Sequence, residues 1–550
     1  MDKKQKCELD FIHCDTVIAG GGIAGLVTAL ELLEHGQNVI IVDRDTKDRL
    51  GGLARWAFGG MALSGTKQQK RMNIDDNSAL LLKDWHSFAE FDQDDNWPKA
   101  WAKEYAECNN DKVYQWLNAL GLKFLPAVNW VERGLFVPGN SVPRYHVLWG
   151  TGWGLVEKVI AKLQPFIEQG ELTLYHQHKV IKTIAENNTI VGIEVLDEKN
   201  DQSGTFTINA KQVVIACGGI NGSTKRVKDN WHKPWGKPPE DILNGANPIS
   251  DGMLHDHIQS LGGNMTHQDK MWNYAAGINH PQAEFDGHGL SLIPCKSALW
   301  LNHQGKRIGP MPLVTGFDTN YLCQLVAKQE KSWTWQILNW KIAAKELAVS
   351  GSVHNPSIKN KKLFSFLKEI VFGNQRLVNQ LKDECEDFIC ADSIEELTAK
   401  MNELTDEDYI NPQQLKGEIE AFDQAFSSNK NLQNDDQIRR INHARQWQPD
   451  RLRTCKPAPI SANTKEKLIA IKLQLISRKS LGGMQTNLSS QVLNQQGKPL
   501  NSLYCVGEAA GFGGGGANGF RSLEGTFLSA CILTARNAAQ AIINKKESHK

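Results

Sequence analysis

The chain has 550 residues, 41% of them hydrophobic and 22% charged, with a formal net charge of +1. That is the composition of a globular protein too long for one small core, and so neutral a balance offers no basic field for a nucleic-acid partner. The 11 cysteines are scattered with no C-x-x-C, which excludes the usual zinc, c-type haem and ferredoxin-like spacings and predicts reduced thiols rather than a disulfide framework.

The N-terminal MDKKQKCELDFIHCD is charged and lacks both an apolar h-region and paired arginines, so no secretory leader is read there. No stretch approaches the ~18–20 uninterrupted apolar residues of a membrane span, and a cytoplasmic protein is expected. Residues 16–45, TVIAGGGIAGLVTALELLEHGQNVIIVDRD, begin with a short β-rich run and then give G-x-G-x-x-G at Gly20, Gly22 and Gly25. Ile23, Leu26, Val27, Leu30 and Leu33 follow at helical spacing until Gly36. A second apolar run ends in Asp43, eighteen residues past Gly25. This strand, glycine turn, helix and acid-tipped strand predict a dinucleotide site. The glycines allow close backbone approach, the helix N-terminus faces the pyrophosphate and the carboxylate takes the ribose hydroxyls. Asp43 disfavours a 2′-phosphate, while Arg44 beside it leaves that point open.

Three later segments favour FAD over NAD. GGLARWAFGGM (51–61) holds Gly51, Gly52, Leu53, Ala54, Gly59 and Gly60; VVIACGG (213–219) is a strand ending in the small residues Ala216, Cys217 and Gly218. YCVGEAAGFGGGGANGFRSLEGTFL (504–528) ends a strand at Gly507-Glu508, runs through four successive glycines (513–516), and starts a helix near Gly525, Thr526 and Leu528. NAD binding does not need these segments, but a long extended FAD does. The glycine run is expected to let the flavin lie on bare backbone, with the helix N-terminus aimed at the ring edge that gains negative charge on reduction.

With NSVPRYHVLWGTG (140–152), MWNYAAGI (271–278) and SALWLNHQGKRI (297–308), nearly the full length resembles the FAD-dependent oxidoreductases of the fumarate reductase and succinate dehydrogenase flavoprotein type. The branch it looks most like contains 3-ketosteroid dehydrogenases. The resemblance implies an α/β and α+β fold: a Rossmann-like FAD-binding domain split in sequence (1–275 and 446–550) with an inserted capping, catalytic domain (276–445). It also implies that Glu508 binds the ribityl chain, that Gly51, Gly52, Gly59 and Gly60 flank the flavin, and that the Val180 backbone meets the adenine. Covalently flavinylated relatives carry a histidine where Leu53 stands, so binding is expected to be noncovalent.

Making or reducing a C=C bond beside a carbonyl needs a group on the carbonyl, a proton-transfer group at the α-carbon, and the β-carbon against the flavin N5. Tyr274 or His146 is expected to move the proton, with Arg144 and Arg521 binding or polarising a carbonyl or carboxylate; Tyr145 is a further candidate. Trp56, Trp149, Trp153 and Trp272 are candidates for a bulky apolar pocket as well as for plain core. Two departures from the family bear on substrate. Phe512 stands where ketosteroid enzymes place a tyrosine, and Gly305-Lys306-Arg307 continues as IGPMPLVTGFD without the acid and arginine of fumarate reductases. The expected function is oxidoreduction of a C–C/C=C bond beside a carbonyl in an apolar substrate, with an unidentified electron partner. Reduction of a small dicarboxylate, with Arg144 and Arg521 as carboxylate clamps, and a non-catalytic flavin-binding redox sensor are the alternatives.

Overall fold

The computed structural model describes residues 12–199, 204–309, 317–427, 432–462 and 467–547. The N-terminal stretch before residue 12, positions 310–316 of IGPMPLVTGFD and positions 428–431 lie outside the described residues.

Two eight-stranded sheets organise the chain. In the first, Ile12–Ala19 runs parallel between Val39–Asp43 and Thr205–Ile215, with Ala19 opposite Val42 on one side and Ile215 on the other. Leu172–His176 extends the sheet beyond Val39–Asp43, and Pro499–Cys505 joins Thr205–Ile215 with Cys505 opposite Ile215. The apolar runs are continuous rather than alternating because a parallel sheet is covered on both faces; Val17, Ile18, Ala19, Val213, Val214 and Ile215 are all buried. The helix Ile23–Leu33 packs against the closing helix, Thr526–Glu547. Ala19, Asp43, Ile215 and Cys505 therefore end at one edge, where open sheets of this kind hold their ligands.

The second sheet is mostly antiparallel. Its spine is the thirteen-residue strand Leu468–Ser480. Met271–Asn279, Trp333–Asn339 and Phe388–Ala391 pair with that spine, and Gly289–Ile293 and Leu299–Leu301 pair outward from them. The buried residues of this unit form their own hydrophobic cluster. A parallel α/β unit built from both ends of the chain thus carries an inserted α+β unit. The strand Leu468–Ser480, which lies beyond the expected return near residue 446, is central to this second sheet.

Bulges on both sides of Tyr274 break the register of Met271–Asn279 against the spine. A bulge re-aims the side chain beside it; Trp272 and Tyr274 pack with the first unit's core while Met271, Ala275 and Ala276 pack with the second.

Among the described residues one helix, Thr526–Lys546, reaches the length and mean hydropathy of a membrane span, though Arg536, Asn537 and Gln540 interrupt its apolar run. Of its apolar window, 72% is buried inside the protein, the position of a core helix.

Candidate active site

A cavity of about 400 Å³ opens at the common edge of the parallel strands and continues beneath the second sheet. Gly20, Gly22, Asp43, Arg44, Val180, Ala216, Cys217 and Gly218 border it around the strand ends. Gly51, Gly52, Leu53, Ala54, Gly59, Gly60, Glu508 and Leu528 line it further along. A Cβ on Gly25 would fall on the Gly20 carbonyl oxygen, so Gly25 lets the helix start against the strand end. The same construction at Gly22 meets nothing nearer than the Ala216 carbonyl oxygen at 3.9 Å, leaving that turn open to the cavity. The Asp43 carboxylate accepts the Gly21 N–H, and the Asp45 N–H at 2.7 Å. Burial pushes its pKa up against these donors. Arg44 is held at 2.9 Å by both Glu198 and Asp251, so its charge is already answered. Open glycine turn, helix N-terminus and acid-tipped strand fit an extended dinucleotide. Gly507, Gly525 and Thr526 stand behind the wall: the Gly525 carbonyl accepts the Ala62 N–H at 2.8 Å, and the Thr526 hydroxyl donates to Asn518 Oδ1 at 2.8 Å.

Under the second sheet the walls are Tyr145, Tyr274, Lys479, Phe512, Glu524 and Phe527. The Tyr274 hydroxyl donates to Glu524 Oε2 at 2.7 Å, and the Trp272 indole N–H donates to the same oxygen at 2.9 Å. Burial raises the pKa of Tyr274, and the neighbouring Glu524 charge raises it further; Tyr145 is pushed up by the same two causes in the same order. Both phenols therefore stay protonated through the neutral range. The Tyr145 hydroxyl makes no hydrogen bond among the described residues. Its ring occupies the space a side chain at Gly60 would need and presses on Gly525, so two glycines cut its slot. Burial pushes Glu508 up and Lys479 down, each opposed by a nearby opposite charge. Glu508 Oε1 accepts the Ser480 N–H at 2.9 Å.

The sequence model of the FAD-binding-domain family matches residues 15–528. The chain belongs to that family. FAD is its cofactor. KsdD-like steroid dehydrogenases of Mycobacterium tuberculosis and Mycolicibacterium smegmatis are 37% and 36% identical to this flavoprotein, covering 96% and 94% of it and 95% and 96% of their own lengths. Among solved structures, a flavocytochrome c3 fumarate reductase has a TM-score of 0.67 at 20% identity, covering 97% of this chain and 78% of its own. A 3-ketosteroid delta1-dehydrogenase from Sterolibacterium denitrificans has a TM-score of 0.67 at 15% identity, covering 97% and 100%. Those two likenesses show the fold.

Three of the expected catalytic residues lie off the cavity of this flavoprotein. Arg144 is fully buried and grips Asp76 through two hydrogen bonds of 2.9 and 2.8 Å; it also pairs with Asp84 and bonds Asn140 Oδ1 at 2.8 Å. His146 is buried with Nε2 at 2.8 Å from the Thr66 hydroxyl and Nδ1 at 2.7 Å from the Arg144 carbonyl oxygen. The alternation of the strand Tyr145–Val147 sends residue 145 to the cavity and its neighbours into the core. Arg521 is held by Asp318 and Glu90. Trp56, Trp149, Trp153 and Trp272 are absent from the lining; Trp149 stacks edge-on with Phe366, and Arg55 and Lys359 lie over Trp153.

The glycine run also differs from expectation. Of residues 511–516 only Phe512 borders the cavity. Side chains at Gly513 and Gly514 would collide with Trp101, at 2.6 and 2.8 Å, and those at Gly515 and Gly516 with Thr266 and His267. The bare backbone packs against protein, not cofactor. Glu524 and Lys479 escaped notice because an acid before a helix start and a lysine at a strand end are ordinary surface features; only the fold turns them inward.

Replacing Arg144 with methionine leaves Asp76 and Asp84 buried without a counter-charge, which costs roughly 3–5 kcal/mol; urea unfolding should show this loss. Burial holds the His146 pKa down to about 4, below its unfolded value of about 6.5. The unfolded chain therefore binds the extra proton first, so stability at neutral pH is undiminished and falls as pH drops from about 6.5 toward 4. His146→Gln should flatten that acid slope by up to about 1.4 kcal/mol per pH unit near pH 5, read from unfolding midpoints at pH 7 and pH 5.

Proposed function

We propose that this flavoprotein oxidises or reduces a carbon–carbon bond beside a carbonyl in a bulky, apolar, ketosteroid-like substrate. The observation that carries the proton-transfer part is the Tyr274 hydroxyl bonded at 2.7 Å to Glu524 on the cavity wall. FAD, held noncovalently beside Leu53, supplies the hydride acceptor or donor. Tyr274 need never become a free phenolate, which its raised pKa disfavours. As its oxygen takes the α-proton, its own proton passes to Glu524 Oε2, and in the reductive direction both protons run back. Trp272 steadies the Glu524 carboxylate through its N–H at 2.9 Å. Tyr145, whose hydroxyl is uncommitted, donates to the substrate carbonyl oxygen and stabilises the charge that grows there. Phe512 and Phe527 keep water from the reacting carbons. Glu508, anchored on Ser480, orients the ribityl chain.

Support for the substrate class comes from the relatives named as KsdD-like steroid dehydrogenases at 37% identity over nearly the whole chain. The dicarboxylate alternative has fumarate reductase relatives, but its two expected clamps, Arg144 and Arg521, are engaged by Asp76, Asp84 and Asp318 away from the cavity.

Anaerobic addition of a 3-ketosteroid should bleach the oxidised flavin, and fumarate should leave the reduced flavin unchanged; the reverse pair of results would sink this substrate assignment. Tyr274→Phe should retain flavin and lower kcat by about a hundred- to ten-thousandfold. Glu524→Gln keeps the contact without the base, and should match that loss.

A further inference from the structure

The helix Leu363–Phe372 has ten residues and none of them is buried. Phe364 is 88% exposed, Phe372 71%, Val371 64% and Leu363 54%, with Leu367 also exposed. Leu363, Phe364, Leu367 and Val371 fall at i, i+1, i+4 and i+8, the spacing of one helical face. Soluble proteins bury such a stripe, so a contiguous exposed one marks a contact surface. Its surroundings carry one sign. Residues 359–376 hold Lys359, Lys361, Lys362, Lys368 and Arg376 against the single acid Glu369, in a chain whose net charge is +1. Glu369 is turned inward, accepting from the Ser357 hydroxyl at 2.6 Å.

We propose that this helix docks the protein on an anionic lipid surface, with the phenylalanine face in the acyl boundary and the lysines at the headgroups. A short helix with aromatic residues on one side and lysines at its rim is built to lie in that interface. A second copy of the chain is the poorer occupant, because the two faces would bring the same basic rim together.

The position of the helix gives the docking a use. Lys345 Nζ donates to the Ile370 carbonyl oxygen at 2.8 Å, and Asn374 N–H donates to that of Ala344 at 2.6 Å. Glu346, Asn355 and Arg453 line the cavity, and Arg453 feels the charge of Glu369. The lipid-facing helix is thus tied to a segment of the cavity wall, which would bring that wall to the bilayer in which an apolar compound dissolves. That use rests on the proposed substrate class; the docking itself does not.

Sedimentation of the flavin-loaded protein with vesicles tests it. Binding is expected to vesicles of equal parts phosphatidylcholine and phosphatidylglycerol, to weaken in high salt, and to be slight with phosphatidylcholine alone. Phe364→Glu and Phe372→Glu should each weaken it by at least about tenfold, and Lys361→Glu with Lys362→Glu by about tenfold or more. All of these positions are exposed, and flavin absorbance and the bleaching rate with a detergent-solubilised substrate should stay at wild-type values. Binding that survives the phenylalanine changes, no binding by the wild type, or a dimer in light scattering that Phe364→Glu dissociates would each overturn the proposal. Loss of vesicle binding with no steroid activity in any variant would leave the docking standing and sink only the substrate assignment.

Discussion

A carboxylate half-buried between two units of a protein is costly unless donors reach it. Glu524 stands just before the closing helix of the nucleotide-binding unit, yet both hydrogens it accepts come from the inserted unit, through Trp272 and Tyr274. The two sheets meet at the cavity through that oxygen and through Glu508 Oε1, which accepts the Ser480 N–H at 2.9 Å. The register breaks flanking Tyr274 put both side chains on the side where the carboxylate waits. Lys479, from the spine of the inserted sheet, adds a cation whose pKa burial lowers and Glu524 partly restores. Loss of this contact would leave the carboxylate in the wall without its two hydrogen-bond donors.

The glycine turn and the acid-tipped strand were legible in the chain because they are local. Gly20, Gly22, Gly25 and Asp43 lie within one strand–helix–strand unit, where spacing and chemistry carry the same information. The pairing of residues 12–19 with residues 205–215 is long-range, but continuous apolar runs already mark strands covered on both faces. The cavity wall under the second sheet was half legible. Tyr145 and Tyr274 border the cavity; Arg144 and His146, which flank Tyr145, do not. Chemistry alone could not separate them, since arginine and histidine beside a flavin motif are as suited to catalysis as tyrosine. Strand alternation does separate them, and it becomes usable only once residues 145–147 are known to pair with residues 60–62.

The glycine run carries the same lesson from the other side. Four glycines in a row do mean that something approaches the backbone closely. What approaches is Trp101, along with Trp97, Thr266 and His267, contributed by segments hundreds of residues distant. No local pattern distinguishes a ring of protein from a ring of cofactor, because both need the absence of the same Cβ.

Because the parallel sheet is assembled from both ends of the chain, its order of completion is set by synthesis. Ile12–Ala19 and Val39–Asp43 leave the ribosome first, but Pro499–Cys505, Glu508 and the helix that packs on Ile23–Leu33 come after the whole inserted unit. Domains fold largely as they emerge. Here the inserted unit cannot finish early either, as its spine is made at 468–480. The nascent polypeptide must therefore keep its first βαβ unit open for most of translation, and the vitamin-derived ligand can be captured only at the end, when the last-made helix closes over the first-made turn.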